Sequence, residues 1–193
     1  MPSFDQLQLH TPRLLLRPVQ EGDAAELFAI FSDPEVMRYW VSGPWATIDT
    51  AHDLIARDAQ ALAQGLHLRL GLETIEDGRL IGTCSLFNLV ESSRRAELGY
   101  GLARSAWGQG YMREALSALL AYGFVELDLH RIEAELDPRN VASARSLESQ
   151  GFQREGVLRE RWIVNGEIQD SYLYGLLRHE WLAIAAGTQA TLA

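Results

Sequence analysis

One run constrains this chain more than any other: from residue 102 a strand passes through Trp107-Gly108-Gln109-Gly110-Tyr111-Met112 straight into the strongest helix-forming stretch. Over residues 111–127, Met112, Ala115, Leu116, Leu119, Leu120 and Gly123 form one apolar stripe at helical spacing, which has to lie against another layer. The flanks say what that layer is. Residues 66–74, 80–90 and 96–102 read as strands, with Glu76-Asp77-Gly78 as the first turn, which predicts an antiparallel meander. After the helix come a short strand at 131–136 and a second helix, capped by Asn140 and closed by Gly151, with Leu147 placed to meet Phe152. Residues 154–164 and 167–177 flank Asn165-Gly166, the strongest two-residue hairpin signal a sequence offers.

The N-terminal part adds a strand at 14–17 and a helix at 23–31, carried by Ala24, Leu27, Phe28 and Phe31 and stopped by Asp33-Pro34. A further helix at 49–64 closes at Gly65. Strands that precede, interleave with and follow helices imply an α/β (α+β) fold: a mixed, mostly antiparallel central sheet with helices on both faces. At 193 residues the chain suits a single domain over 1–193, with no linker or repeat between Thr11 and Trp181 and a frayed tail over about 186–193.

Composition removes several functions. The formal net charge of -9 argues against nucleic acid as a partner, since phosphate neutralisation needs a concentrated basic surface, and suits cationic substrates better. No lysine occurs, so neither a P-loop lysine nor a Schiff-base lysine is available. Cys84 is the one cysteine and reads as a small core residue; no internal disulfide and no thiolate zinc cluster can form. None of the histidines has the spacing that sets two metal ligands on one helix face, and no metal is expected. Apolar runs fall short of the ~20 residues of a membrane helix, and residues 1–13 lack the basic start and apolar stretch of a secretion signal. A cytoplasmic location is therefore expected.

Strand, glycine loop and helix together make an anion-site geometry. The N–H groups of a helix's first turn point outward, and Gly108 and Gly110 let the backbone approach a ligand; Arg113 adds a cation. The G-x-G-x-x-G dinucleotide pattern fails because Arg113 holds the third glycine position. Ahead of the loop, Glu97, Gly99 and Gly101 share one strand face, a carboxylate followed by bare backbone along which a slender amide chain could lie. Asn140 and Ser143 occupy the electropositive first turn of the following helix, where a developing thiolate would be favoured.

Taken together these segments resemble the GNAT N-acetyltransferases, and within them the branch that acetylates ribosomal-protein N-termini. The resemblance runs from about Thr11 to Trp181. It is carried by Thr11-Pro12-Arg13-Leu14, Glu97-Leu98-Gly99-Tyr100, Trp107 through Tyr111 with Glu114-Ala115, His130-Arg131-Ile132, Asn140 through Ser143 to Gly151-Phe152, and the run from Leu176 to Trp181. It implies splayed central strands and acetyl-CoA as cosubstrate. By the same likeness the diphosphate is held by Gly108, Gln109, Gly110, Tyr111, Met112 and Arg113. Tyr100, Gly101 and Leu102 would pair through their backbone with the pantetheine arm, which Asn140 also touches. Met112 departs from the usual glycine or alanine, and Trp107 from the common arginine or glutamine.

Acetyl transfer needs a neutral amine, an oxyanion donor and a proton for the departing thiolate. The expected roles are Glu97 as base, directly or through water, a backbone N–H near Leu102 as oxyanion donor, and Ser143 as donor to sulfur with Tyr172 as the fallback acid. An α-amine of pKa ~8 costs about 1 kcal/mol to deprotonate at neutral pH, against roughly 4 to 5 for a lysine-type amine, which favours a protein N-terminus as acceptor. Trp40, Trp162 and Tyr172 are the expected pocket walls. A small cationic acceptor such as a polyamine or aminoglycoside, and a non-catalytic acyl-CoA-binding module, are the alternatives. The sequence leaves open whether the chain is a homodimer.

Overall fold

The computed structural model describes residues 3–191. Its centre is an eight-stranded sheet in the order β1-β2-β3-β4-β5-β6-β8-β7. The strands are β1 (Leu9–His10), β2 (Leu14–Pro18), β3 (Leu68–Thr74), β4 (Leu80–Val90), β5 (Arg95–Leu102), β6 (Arg131–Leu136), β7 (Gln153–Val164) and β8 (Glu167–Leu177). The helices are α1 (Ala24–Phe31), α2 (Pro34–Met37), α3 (Asp49–Ala63), α4 (Tyr111–Ala121), α5 (Val141–Ser149) and α6 (Arg178–Thr191). Every strand pairing is antiparallel except β5 with β6, so the sheet is mixed and mostly antiparallel, as expected.

Two hydrophobic layers sandwich this sheet. Leu68, Leu70 and Leu72, alternate residues of β3, meet Leu116, Leu119 and Leu120 of α4 in the larger core, all of them fully buried. Each such leucine contributes about 1.5–3 kcal/mol by leaving water. Leu27, Ile30 and Phe31 of α1, Val36 and Met37 of α2, and Ala51 and Ile55 of α3 form the second core on the opposite side. Cys84 lies fully buried in the larger core, and burial pushes its thiol up to about 12, so it is an inert core residue.

Local signals explain most boundaries. Asp33 does stop α1, but its side chain then accepts from the Glu35 N–H and Pro34 opens α2, so one dipeptide ends a helix and starts the next. Gly65 follows α3 at φ +67° and Gly151 follows α5 at φ +93°, both left-handed helix ends. The long central helix continues beyond Ala121 as a wider π turn, Tyr122–Glu126. At the C-terminal end α6 runs as helix to Thr191, through the alanine-rich run from Ala183 that favours helix. Leu192 and Ala193 lie outside the described residues. No helix among the described residues is long and apolar enough to cross a membrane.

Arg17 ties the first strand to the helices. Its guanidinium donates to Asp23 at 2.7 and 2.8 Å and to Glu73 at 2.6 Å, in a site where Arg17 and Asp23 are almost wholly buried.

Candidate active site

The turn between β5 and α4 is shaped by Gly108 at φ +73° and Gly110 at φ +81°, values that residues with a Cβ adopt only under strain. Trp107 pins its start, Nε1 donating 2.8 Å to the Leu102 carbonyl, and Gln109 Nε2 donates 2.8 Å to the Ser105 carbonyl. The main-chain N–H groups of Gly108, Gln109, Gly110, Tyr111, Met112 and Arg113 donate to no acceptor among the described residues. They form a run of free donors at the positive end of α4. The Arg113 side chain is exposed and makes no ion pair among the described residues. Met112, the departure noted above, turns into the larger core at 8% exposure and leaves the mouth clear.

β5 leads from this mouth to a gap in the sheet. It pairs with β6 only at Arg95/Arg131, Ala96/Ile132 and Glu97/Glu133; beyond them, residues 98–102 have no strand partner on that side among the described residues. The central strands are therefore splayed, and an extended amide chain can pair with the open edge at Tyr100 and Gly101. The carbonyl of Leu102 already serves Trp107, leaving its remaining capacity for such a chain.

The glycine face of β5 has another use than the sequence suggested. A Cβ at Gly101 would lie 2.8 Å from Phe31 Cε1 and 3.2 Å from Trp40 Cζ2, and one at Gly99 would lie 3.1 Å from Phe87 Cε1. The bare backbone accommodates aromatic rings: Phe31 and Trp40 of the second core at Gly101, and the half-buried Phe87 at Gly99. Gly101→Ala is accordingly expected to cost about 1–3 kcal/mol of stability through overpacking, read by urea unfolding, with acetyl-CoA affinity little changed in the folded fraction.

Asn140 caps α5, its Oδ1 accepting from the Ser143 N–H at 3.1 Å. Ser143 Oγ lies 2.8 Å from the Tyr100 hydroxyl, which also donates to the Ser143 carbonyl at 3.2 Å. Burial pushes Tyr100 up to about 12, so it remains a neutral donor that holds Ser143 beside the gap. This side-chain link between β5 and α5 had no signal in the sequence, where the two residues stand far apart.

Glu97 occupies the other face of the gap. Among the carboxylates that β5, β6 and β7 bring to this face, Glu133 is held by Arg95 (2.9 Å) and Arg131 (2.7 Å), Glu135 by Arg161 (3.0 Å) and Glu155 by Arg131 (2.7 Å). Glu97 accepts from Asn88 Nδ2 at 3.0 Å and forms no ion pair among the described residues, although it lies within reach of the Arg161 charge. The three expected wall aromatics do not converge. Trp40 packs on the second core against Phe31, with centroids 5.6 Å apart, whereas Tyr172 packs on the larger core across the sheet under Arg154. Alternation places Tyr172 with Leu136, facing α5. Trp162, 38% exposed and opposite Gln169, lies on the hairpin.

A mouth of unpaired amides beside an open strand edge suits a long anionic thioester, which makes the protein an acyl transferase by architecture. Comparison with known proteins narrows this: an acetyltransferase (GNAT) domain matches residues 13–153, and the chain belongs to the GNAT family of acetyl-CoA-dependent N-acetyltransferases. It is 38% identical to the uncharacterized N-acetyltransferase p20 of Bacillus licheniformis over 90% of this chain and 97% of that protein. It is 29% identical to the ribosomal protein uS5-alanine N-acetyltransferase of Escherichia coli, covering 91% and 93%. The crystal structure of spermidine N-acetyltransferase from Vibrio cholerae with CoA and spermine superposes with a TM-score of 0.78 at 27% identity, covering 88% of this chain and 98% of that one.

Proposed function

We propose that this enzyme acetylates the N-terminal α-amine of a protein, with the whole chain acting as one catalytic domain. The observation that carries the reading is that Glu97 forms no ion pair among the described residues, with only the charge of Arg161 within reach, whereas its neighbouring carboxylates are held by arginine. A polyamine carries several cationic centres and is best held by several free carboxylates. One free carboxylate among arginines suits one ammonium attached to a peptide, whose carbonyls can accept from guanidinium groups.

In this reading the free amides of the Gly108–Gly110 turn and α4 bind the diphosphate, assisted by Arg113, and the open edge of β5 aligns the pantetheine arm. Glu97 takes the proton of the incoming ammonium, directly or through water; the neutral nitrogen attacks the thioester carbonyl, and a backbone N–H near Leu102 donates to the developing oxyanion. As the C–S bond breaks, the sulfur leaves as a thiolate that accepts a hydrogen bond from Ser143, held by Tyr100, and takes up the second proton released by the attacking nitrogen. Tyr172 is the alternative donor on the same face. Trp40 and Trp162 border the acceptor entrance on the Glu97 side.

The test is a thiol-release assay with acetyl-CoA against peptides beginning in alanine or serine, spermidine, and an aminoglycoside. Peptides are expected to be turned over at least about 10-fold more efficiently than either small amine, one unit of log(kcat/KM) being about 1.4 kcal/mol. Turnover confined to spermidine would replace this acceptor with a polyamine.

A further inference from the structure

Arg13 reaches from the first strands to both the glycine turn and the first turn of α4. It stands in the turn between β1 and β2, yet its main-chain N–H donates 2.8 Å to Glu114 Oε1 and its Nε donates 2.7 Å to Glu114 Oε2. Its Nη1 donates 2.9 Å to the Gln109 carbonyl, and the guanidinium lies 4.4 Å from the centre of the Tyr111 ring. Thr11 completes the junction, its hydroxyl donating 2.6 Å to Glu114 Oε1. A Cβ at Gly110 would lie 3.5 Å from Arg13 Nη2, so the guanidinium covers the outer side of the glycine turn.

We propose that Arg13 is a positioning residue for the donor cosubstrate: it locks the glycine turn from outside so that its amides face the diphosphate, and it cancels the charge of Glu114 behind them. The reasoning rests on the placement of the diphosphate given above. In a trans peptide the C=O and the following N–H point in opposite directions. Anchoring the Gln109 carbonyl on Arg13 therefore turns the Gly110 N–H away from Arg13, toward the mouth. With glycine on either side of Gln109, a turn released from this anchor has many backbone states open to it, and few present all the amides together. Glu114 compounds the need. A carboxylate in the first turn of α4 stabilises the helix but repels a diphosphate bound at the same end, unless a cation is fixed upon it.

The experiment compares acetyl-CoA with S-acetylpantetheine, which carries the same thioester without diphosphate or nucleotide, in wild type and Arg13→Ala. The ratio of kcat/KM for the two donors is expected to fall at least about 10-fold in the variant, chiefly through KM for acetyl-CoA. Loss of folded protein lowers both donors equally and leaves the ratio in place, so an unchanged ratio, whether both rates fall or neither does, overturns the proposal. A titration of amide resonances with coenzyme A, which needs no acceptor, separates the two levels. Wild-type shifts elsewhere than Gly108 and Gly110 refute the diphosphate placement itself. Shifts at those glycines, with equal affinity in Arg13→Ala, refute only the role of Arg13.

Discussion

Glu97→Gln is expected to lower kcat by at least about 100-fold, the usual contribution of a positioned general base. KM for acetyl-CoA should stay within about twofold, because the pantetheine edge and the α4 mouth are untouched. Glutamine keeps the size of the side chain and can still accept from Asn88, so the change isolates proton transfer from packing. The residual rate should rise with pH up to about 8, where an α-amine loses its own proton without assistance. Steady-state kinetics across pH 6–9 test this; full turnover at every pH would remove Glu97 from the chemistry.

Arg17→Ala is expected to destabilise the fold by about 2–3 kcal/mol, below the roughly 3–5 kcal/mol of a fully buried pair broken on one side, because Glu73 retains some contact with water. Asp23 and Glu73 would be left facing each other without their shared cation. Urea unfolding at pH 7 measures the loss, and the activity of the remaining folded protein should be nearly normal. The same network makes the wild type sensitive to acid. Burial raises the Asp23 carboxyl, but the Arg17 hydrogen bond, the Gln20 N–H and the Arg17 charge together hold it below its ordinary 3.8. Its stabilisation is complete above the ordinary value and is lost as pH falls through the lower native one. His67 acts earlier. Burial, then the charge of Arg69, lowers it to about 4, so between its ordinary 6.5 and that value the unfolded chain binds more protons and stability declines as pH drops.

Elements were legible in the sequence wherever pattern and punctuation agreed. The stripe of α4, the Asn165-Gly166 hairpin and the Asn140 cap each rest on contacts within a few residues, and each appears where the spacing puts it. Long-range relations were not. Nothing local to Gly101 distinguishes a backbone kept bare for a ligand from one kept bare for Phe31 and Trp40, since both require the same missing Cβ. Tyr172 looked like a neighbour of Trp40 until the register put the two on opposite faces of the sheet. Arg13 stood in a segment noted for its likeness to a family, but its partners Gln109 and Glu114 are about a hundred residues away, and no periodicity links them.

The short parallel junction between β5 and β6 has a mechanical consequence. The sheet is two leaves bound along one end of a seam, with Arg95 and Glu133 as its stitch. An amide chain that enters the open end supplies rungs the polypeptide itself omits and behaves as a guest strand between the leaves. A chain paired along this edge would tie the two leaves together, so the loaded protein is expected to be the more rigid body.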